Sequence, residues 1–585
     1  METVDFEFET MLTEDLVRLL LPVLLGLPIA AALALRLVPG ARAHSIAIVF
    51  AAVHLLITLA IVGSAMELVQ SDPVLGHSID RTKKKSERVF APQFVPGDPL
   101  PNGQHSFSTT YDVITFRGTD AQGASTRIGA AQFFIGIDGL NIWLVALSSF
   151  MMIPVVLFSW DSIRERIGGY YSWLFLLQAG VIGVFLSFDL LLFYVCFELT
   201  LVPLLFLIAG WGTGPNRREA ARKLFLFTLA GGLITLLGIA GIVLFVYDQT
   251  GGQNQPRVLS FSIPQLADII QQKLNQTTDS TRETWRIAQI YLFLALSVGF
   301  AVKIPVVPLH SWLPNAYAEA PTGVTVMLSA LLAKMGLFGL VRICLPLCPD
   351  ATLSIGLPLL GVLGVIGVIY GALCAYAQKD MRRLVAYSSV SHLGMCVVAI
   401  VTFSPSGLAG SVLHMVNHGL STGAMFLLVG MLIRRYGTAQ IADYSGVWSR
   451  LPVLTFFMMF IALATVGLPG LNNFISEILM LGGIFDARNP SGYEFTLAIL
   501  TSLGVFLSAW YTLTMIRRAF FGPEKMPPAI VTVSDLTPRE RFAIAPLAIL
   551  CLLLGVMAQP VIDVMSRDTT RLAQVGDEAR SRVGK

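Results

Sequence analysis

FAVKIPVVPLHSWLPNAYAEAPT, residues 300–322, breaks an otherwise apolar helix with a lysine, a histidine and four prolines. Hydrocarbon cannot hydrogen-bond the carbonyls that proline frees, so a break of this kind at membrane depth must face protein or water. A charged side chain near the bilayer centre costs about 2.5–3.5 kcal/mol on insertion scales. Lys303 is therefore expected to point into the protein, at a break that serves a purpose.

Composition supports the membrane setting. Of 585 residues 55% are apolar and 13% charged, with a mean hydropathy of +0.71; a soluble domain carries about 25% charged residues. Many apolar runs reach the roughly 20 residues that cross a bilayer. The net charge of +3 gives no sign of a nucleic-acid partner. Six cysteines, Cys196, Cys344, Cys348, Cys374, Cys396 and Cys551, form no C-x-x-C pair and are expected as buried filler. The start, METVDFEFETMLTED, has six acidic residues and no basic one, so the first apolar run is expected to be a retained helix rather than a secretory signal.

The fold class is an all-α polytopic membrane protein with about fourteen spans. They are placed at 15–36, 44–70, 137–160, 169–187, 189–210, 222–247, 287–308, 321–345, 353–376, 384–402, 407–433, 451–480, 493–516 and 542–562. Alternate loops, from Arg36 and Arg42 to Arg539 and Arg541, hold nineteen basic residues, whereas the short loops opposite hold only Arg488. Positive charge stays in the cytoplasm, so both termini are expected outside. Residues 71–132, with the Lys83–Lys85 run, are polar and lack sustained periodicity; they are expected to form a long outward loop. In 248–286, SIPQLADIIQQKL predicts a short surface helix with Leu266, Ile269, Ile270 and Leu274 on one face, and Ser262 with Gln265 resembles a capping box.

A second break, Gly467-Leu-Pro-Gly470, lies in span 12, five spans after the break in span 7. Spans 4–8 and 9–13 are accordingly expected to be two copies of one unit, inserted oppositely because five is odd. Inverted repeats with discontinuous helices in matching places mark transport paths near the midplane. Three parts follow: 1–136, two spans and the extracytoplasmic loop; 137–520, the core with both repeats; and 521–585, a cytoplasmic loop, the last span and a short outward tail.

Four ionisable residues lie deep in spans: Glu198, Lys303, Lys334 and Glu477. Unpaired, they would cost on the order of 10 kcal/mol together, so they must meet partners or water. Static salt bridges would be a poor use of them, because apolar packing stabilises as well. His310, His392 and His418 join the set, and imidazole titrates nearest physiological pH. His414 and His418 are four apart, a spacing that suits a metal. No acidic residue or cysteine accompanies them on that turn, and no separate helix offers the matching histidines a haem needs, so neither group is expected. Burial favours a neutral lysine and a nearby carboxylate favours a charged one. Lys303 thus reads as a proton carrier whose load depends on where Glu198 sits. Moving a proton against 100 mV costs about 2.3 kcal/mol.

AVKIPVVPLHSWLPNAYAEAPT, LLAKMGLFGLVR, AQKDMRRLVAYSSVSHLGM and VNHGLSTGAMFLLVGM together resemble the antiporter-like subunits of respiratory complex I, in particular the M-subunit (chain 4) family of NADH-quinone oxidoreductase. The resemblance covers about 130–520. It implies that Glu198 is the span-five glutamate and Lys303 the span-seven lysine. Lys334 is then the connecting lysine of span eight, and His310, His392 and His418 are histidines of a central polar axis. Glu477 falls on a span-twelve position that is glutamate in the M subunit and usually lysine in the L, N and Mrp relatives. His414 has no counterpart to carry over, and 71–132 departs from the compact loop expected.

The resemblance implies a proton-translocating subunit in a bacterial plasma membrane with no cofactor of its own. NADH, flavin, iron–sulfur clusters and quinone would sit in partner subunits of the membrane arm and beyond. No G-x-G-x-x-G, cluster-type cysteine pattern or P-loop occurs in the chain. The alternatives are a subunit of a Mrp-type sodium/proton antiporter, the membrane arm of a related hydrogenase or ferredoxin-type complex, and a structural anchor without an ion path. Midplane charges oppose the anchor, and Glu477 leans against the antiporter.

Overall fold

The computed structural model describes residues 14–70, 107–119, 125–250, 257–276, 279–486, 493–525 and 534–583. Most of the acidic N-terminal stretch, the Lys83–Lys85 run and Arg488 lie outside them. Among the described residues twelve helices are long and apolar enough to cross a membrane, thirteen if Pro538–Val556 and Gln559–Val583, bent by 68°, count as one span. The predicted span 12 is two shorter helices, Pro452–Val466 and Asn472–Phe485. Span 5 is also interrupted, between Leu190–Leu199 and Leu201–Trp211. Pro203 has no N–H to give the carbonyl of Leu199, which explains a break there.

Burial is graded. The apolar windows of spans 8, 10 and 11 are 100%, 94% and 94% buried, against 33% for spans 1 and 2. The first pair is peripheral and spans 8, 10 and 11 form the centre. A span without lipid contact can hold polar side chains if they find internal partners. Lys334, His392, His414 and His418 all lie on those three spans.

The basic loops gather on one face. Arg539 pairs with Asp161 at 2.6 Å, Arg435 with Glu540 at 2.6 Å, and Arg382 donates to Thr213 Oγ1 and the Ala318 carbonyl. Thr537 and Glu540 form a capping box at the start of the last span.

The opposite face is more ordered than the sequence predicts. Strand β1, Ser108–Thr119, pairs antiparallel with β2, Ser125–Gly136, and β3, Leu259–Ser260, adds parallel to β2. An irregular loop was the expectation for this part of 71–132. A register shift between Asp112 and Ile114 leaves Tyr111, Val113 and Ile114 all exposed, which destroys the alternation that marks a strand. Helix Ile263–Gln276 is present, with Leu266, Ile270 and Leu274 buried and Ile269 partly so. The Ser262–Gln265 capping box is not formed. Gln265 accepts instead from Ser260 Oγ, and that oxygen accepts from the Ser262 N–H, so an upstream serine has taken the partner. The expected short tail is a 25-residue helix, Gln559–Val583, laid across the span ends: Arg582 pairs with Asp350 at 2.8 Å and Asp568 accepts from Gly139 N. Five of the six cysteines are buried and all are free.

Candidate functional site

The helix Asp279–Lys303 ends on its lysine. Past it the chain turns, and Trp312 Nε1 donates to the Val302 carbonyl that the break leaves free. Lys303 is fully buried, and its ammonium donates to the Phe197 carbonyl at 2.6 Å and to Thr200 Oγ1 at 3.2 Å, over the Phe197 ring. Those acceptors lie at the interruption of span 5, where the backbone is not fully used by its own helix. Glu198 is the next residue, yet its carboxylate turns to Gly232 on span 6, where any Cβ would overlap Oε1. Neither carboxylate oxygen has a hydrogen-bond partner among protein atoms. No ion pair within 4.0 Å joins Glu198 and Lys303 among the described residues.

Lys334 lies between two π-helical turns, Leu328–Leu332 and Leu340–Cys344. Single-turn π segments are frequent at functional sites because the widened turn misaligns backbone groups. Here the Ser329 carbonyl accepts from the lysine, whose ammonium also donates to His418 Nδ1 at 2.8 Å. His418 begins a cluster. The ring centroids of His392, His414 and His418 form a near-equilateral triangle with sides of 5.7, 5.6 and 5.8 Å. His414 Nδ1 shares a hydrogen bond with Ser476 Oγ at 2.9 Å; His392 Nδ1 lies 3.4 Å from Glu477 Oε1, and its Nε2 is 3.4 Å from the Tyr511 hydroxyl. Lys334, the three histidines and Glu477 are therefore contiguous and buried.

The break in span 12 seats the carboxylate. Gly467 has φ +80°, and a Cβ there would sit 2.6 Å from Glu477 Oε2, so glycine is needed for both the turn and the space. Asn417 Nδ2 donates to the Asn472 carbonyl and Asn472 Nδ2 to the Asn417 carbonyl, which ties span 11 to the second half-helix.

The structure brings Lys334, His392, His418 and Glu477 together and adds His414, Ser476 and Tyr511. The signal for the last three was weak: single polar residues whose neighbours come from other spans. Asn472 and Asn473, directly after the break, were the visible hint. Lys303 and Glu198 form a second group, with no hydrogen bond to Lys334 among the described residues. His310 stands apart, its ring against Tyr370 and Tyr387 at 5.3 and 6.2 Å. The helical turn that carries His414 and His418 holds no acidic residue, but Glu477 reaches the histidines from another span. Ligand atoms of His392, His414 and Glu477 lie within 4.8 Å of one another, the one such group among the described residues. A cavity of about 1230 Å³ at the basic face, lined by Asp161, Glu319 and Arg382 among others, is separate from this row.

The family model described as NADH:quinone oxidoreductase/Mrp antiporter, transmembrane, matches residues 187–507. The chain belongs to that family. NADH-quinone oxidoreductase subunit M of Pseudomonas aeruginosa is 39% identical over 471 residues, covering 80% of this chain and 85% of that one. Subunit M of Escherichia coli K12 is 38% identical over 433 residues, 73% and 80% of the two chains. Among solved structures, a chain of respiratory complex I from Thermus thermophilus with bound NADH superposes with a TM-score of 0.72 at 26% identity, over 95% of this chain and 99% of that one. The Mrp complex from Dietzia sp. DQ12-45-1b gives 0.69 at 18% identity and shares the fold. The matched region holds every ionisable residue of the row. The hairpin and the C-terminal helix lie outside it.

Proposed function

We propose that this chain is a proton-translocating membrane-arm subunit of an NADH-quinone oxidoreductase, in which electron transfer in other subunits drives protons along the buried row. The observation that carries the proposal is the contiguous set Lys334, His418, His414, His392 and Glu477 at the centre of the bundle. Lys334 Nζ lies 2.8 Å from His418 Nδ1 at one end and His392 Nδ1 3.4 Å from Glu477 Oε1 at the other, with the three imidazole rings, 5.6–5.8 Å apart between centroids, bridging them. Relatives at 38–39% identity are M subunits, which favours this reading over an Mrp-type antiporter.

Lys303 is the loading site. Its ammonium is now held by neutral oxygens while Glu198 faces span 6. Moving the carboxylate toward the ammonium stabilises the charged lysine, and moving it away releases a proton toward Lys334 through water. The pair titrates as a unit. His310, although a motif residue, acts by packing. The chain carries no redox centre of its own, and NADH, flavin, iron–sulfur clusters and quinone belong to partners. The basic face is cytoplasmic and both termini are outside, in a bacterial plasma membrane.

The test is Lys303→Ala in the assembled complex, with proton uptake by sealed vesicles measured beside NADH oxidation. Pumping per NADH should fall by at least about tenfold while the complex still assembles. Undiminished pumping removes Lys303 from the path.

A further inference from the structure

A second buried charge cluster lies toward the face opposite the basic loops. Asp138, at the start of span 3, holds Arg342 of span 8 through both terminal guanidinium nitrogens, at 2.5 and 2.7 Å. Asp568, on the helix Gln559–Val583, joins them through the Gly139 N–H at 2.8 Å. All three side chains are at least nine-tenths buried. Two carboxylates and one guanidinium leave an uncompensated negative charge, and a buried set of that kind keeps a proton on one acid. Asp138 takes both terminal nitrogens of Arg342, whose Nε has no protein partner. Asp568 is left with one backbone donor.

Resting on the function proposed above, we infer that Asp568 is a proton-release group on the far side of the bundle and that Arg342 is the positioning residue that controls it. Three observations support this. A cavity of about 130 Å³, room for several waters, touches Arg342 and Asp568 and is also lined by Asp268, Arg571 and Gln271. Neither amide atom of Gln271 has a protein partner, so this wall is ready to order water. Span 8 carries both Lys334 and Arg342, eight residues or about 12 Å of helix apart, and Arg342 itself sits in the second π turn. A change of charge on Lys334 can therefore be felt at Arg342 through one helix.

The carboxyl of Asp568 is pushed up to about 8, first by burial and then by the charge of Asp138, with Arg342 opposing. Other charges facing it, Arg571 and Asp268, line the same cavity. With Arg342 on Asp138, as here, Asp568 keeps its proton at neutral pH. When Arg342 moves toward Asp568, the O–H bond breaks heterolytically, the proton passes to cavity water, and the negative charge stays on the carboxylate facing the guanidinium.

The experiment uses the assembled complex in sealed vesicles, comparing wild type with Asp568→Asn and Asp568→Glu, and Lys334→Ala as a control. Infrared spectra across pH should show a protonated-carboxyl band that disappears as pH rises through about 8. The band should be absent in Asp568→Asn and displaced in Asp568→Glu. Pumping per NADH should fall about tenfold in Asp568→Asn and return with glutamate, which a purely structural tie to Gly139 would not require. If Asp568→Asn does not assemble, the band and its displacement in Asp568→Glu decide. An unchanged band with unchanged pumping overturns the inference, and so does a band that ignores the glutamate variant. If Lys334→Ala also pumps normally, the function reading fails with it; if Lys334→Ala abolishes pumping, only the release site is lost.

Discussion

Spans 4–8 and 9–13 use the same device on opposite faces. Asp189, between spans 4 and 5, caps a helix and bridges to Ser262 in the connection from span 6 to 7. Asp380, between spans 9 and 10, caps a helix and bridges to Gln440 in the connection from span 11 to 12. The first bridge lies with the hairpin and the second with the basic loops. In each half the fourth span then breaks. The difference lies in what the break holds. Lys303 closes its half-helix, where unsatisfied carbonyls and the negative end of the macrodipole suit a cation. Glu477 lies in the second turn of a half-helix that begins at Asn472, nearer the positive end, with His392 as its neighbour. The two breaks thus present opposite ends of their half-helices to the buried side chains and so suit opposite charges.

Changing the charge at the second break should have the largest effect. Glu477→Gln keeps the shape but removes the ionisable group beside His392, and pumping per NADH in the assembled complex should drop by about tenfold or more; pumping at the wild-type rate would mean that the two breaks are not equivalent. The caps give a finer comparison. Asp189 accepts from Gln132 N, Leu191 N and Leu192 N, whereas Asp380 accepts from Arg383 N. Thermal unfolding in detergent should show Asp189→Ala losing about 2–3 kcal/mol and Asp380→Ala about 1 kcal/mol; equal losses would mean that the first cap's extra bonds add nothing. Smallest of all is His310→Ala, where pumping should stay within about twofold of wild type, because no general acid–base role is removed. A loss as deep as that of Glu477→Gln would place His310 in the path, although among the described residues its ring meets Tyr370 and Tyr387 rather than the row.

Much of the fold is legible because hydrocarbon imposes simple rules. Apolar runs mark spans, and a break with Pro or Gly marks a place where backbone must meet protein. Lys334 and Glu477 stand out for the same reason: a charge at that depth requires a partner. His414 was passed over because its value lies in Ser476 and the neighbouring rings, which arrive from spans 10, 11 and 12. The approach of Glu477 to His392 and His414 is hidden for the same reason, since one helical turn says nothing about a carboxylate on another span. Asp568 was invisible in a polar tail. The hairpin escaped because a bulge at Val113 cancels the alternation that a sequence shows.

Sequence alone determined the membrane setting, the two breaks and the depth of the four charges, since each follows from the cost of placing polar groups in hydrocarbon. Tertiary structure alone decided which charges meet. Glu198 lies against Gly232 with no ion pair to Lys303 within 4.0 Å, while His414 and Asp568 acquire partners from distant spans. Pairing depends on helix rotation and close packing at glycine contacts such as Gly232 and Gly467, and local sequence does not encode either.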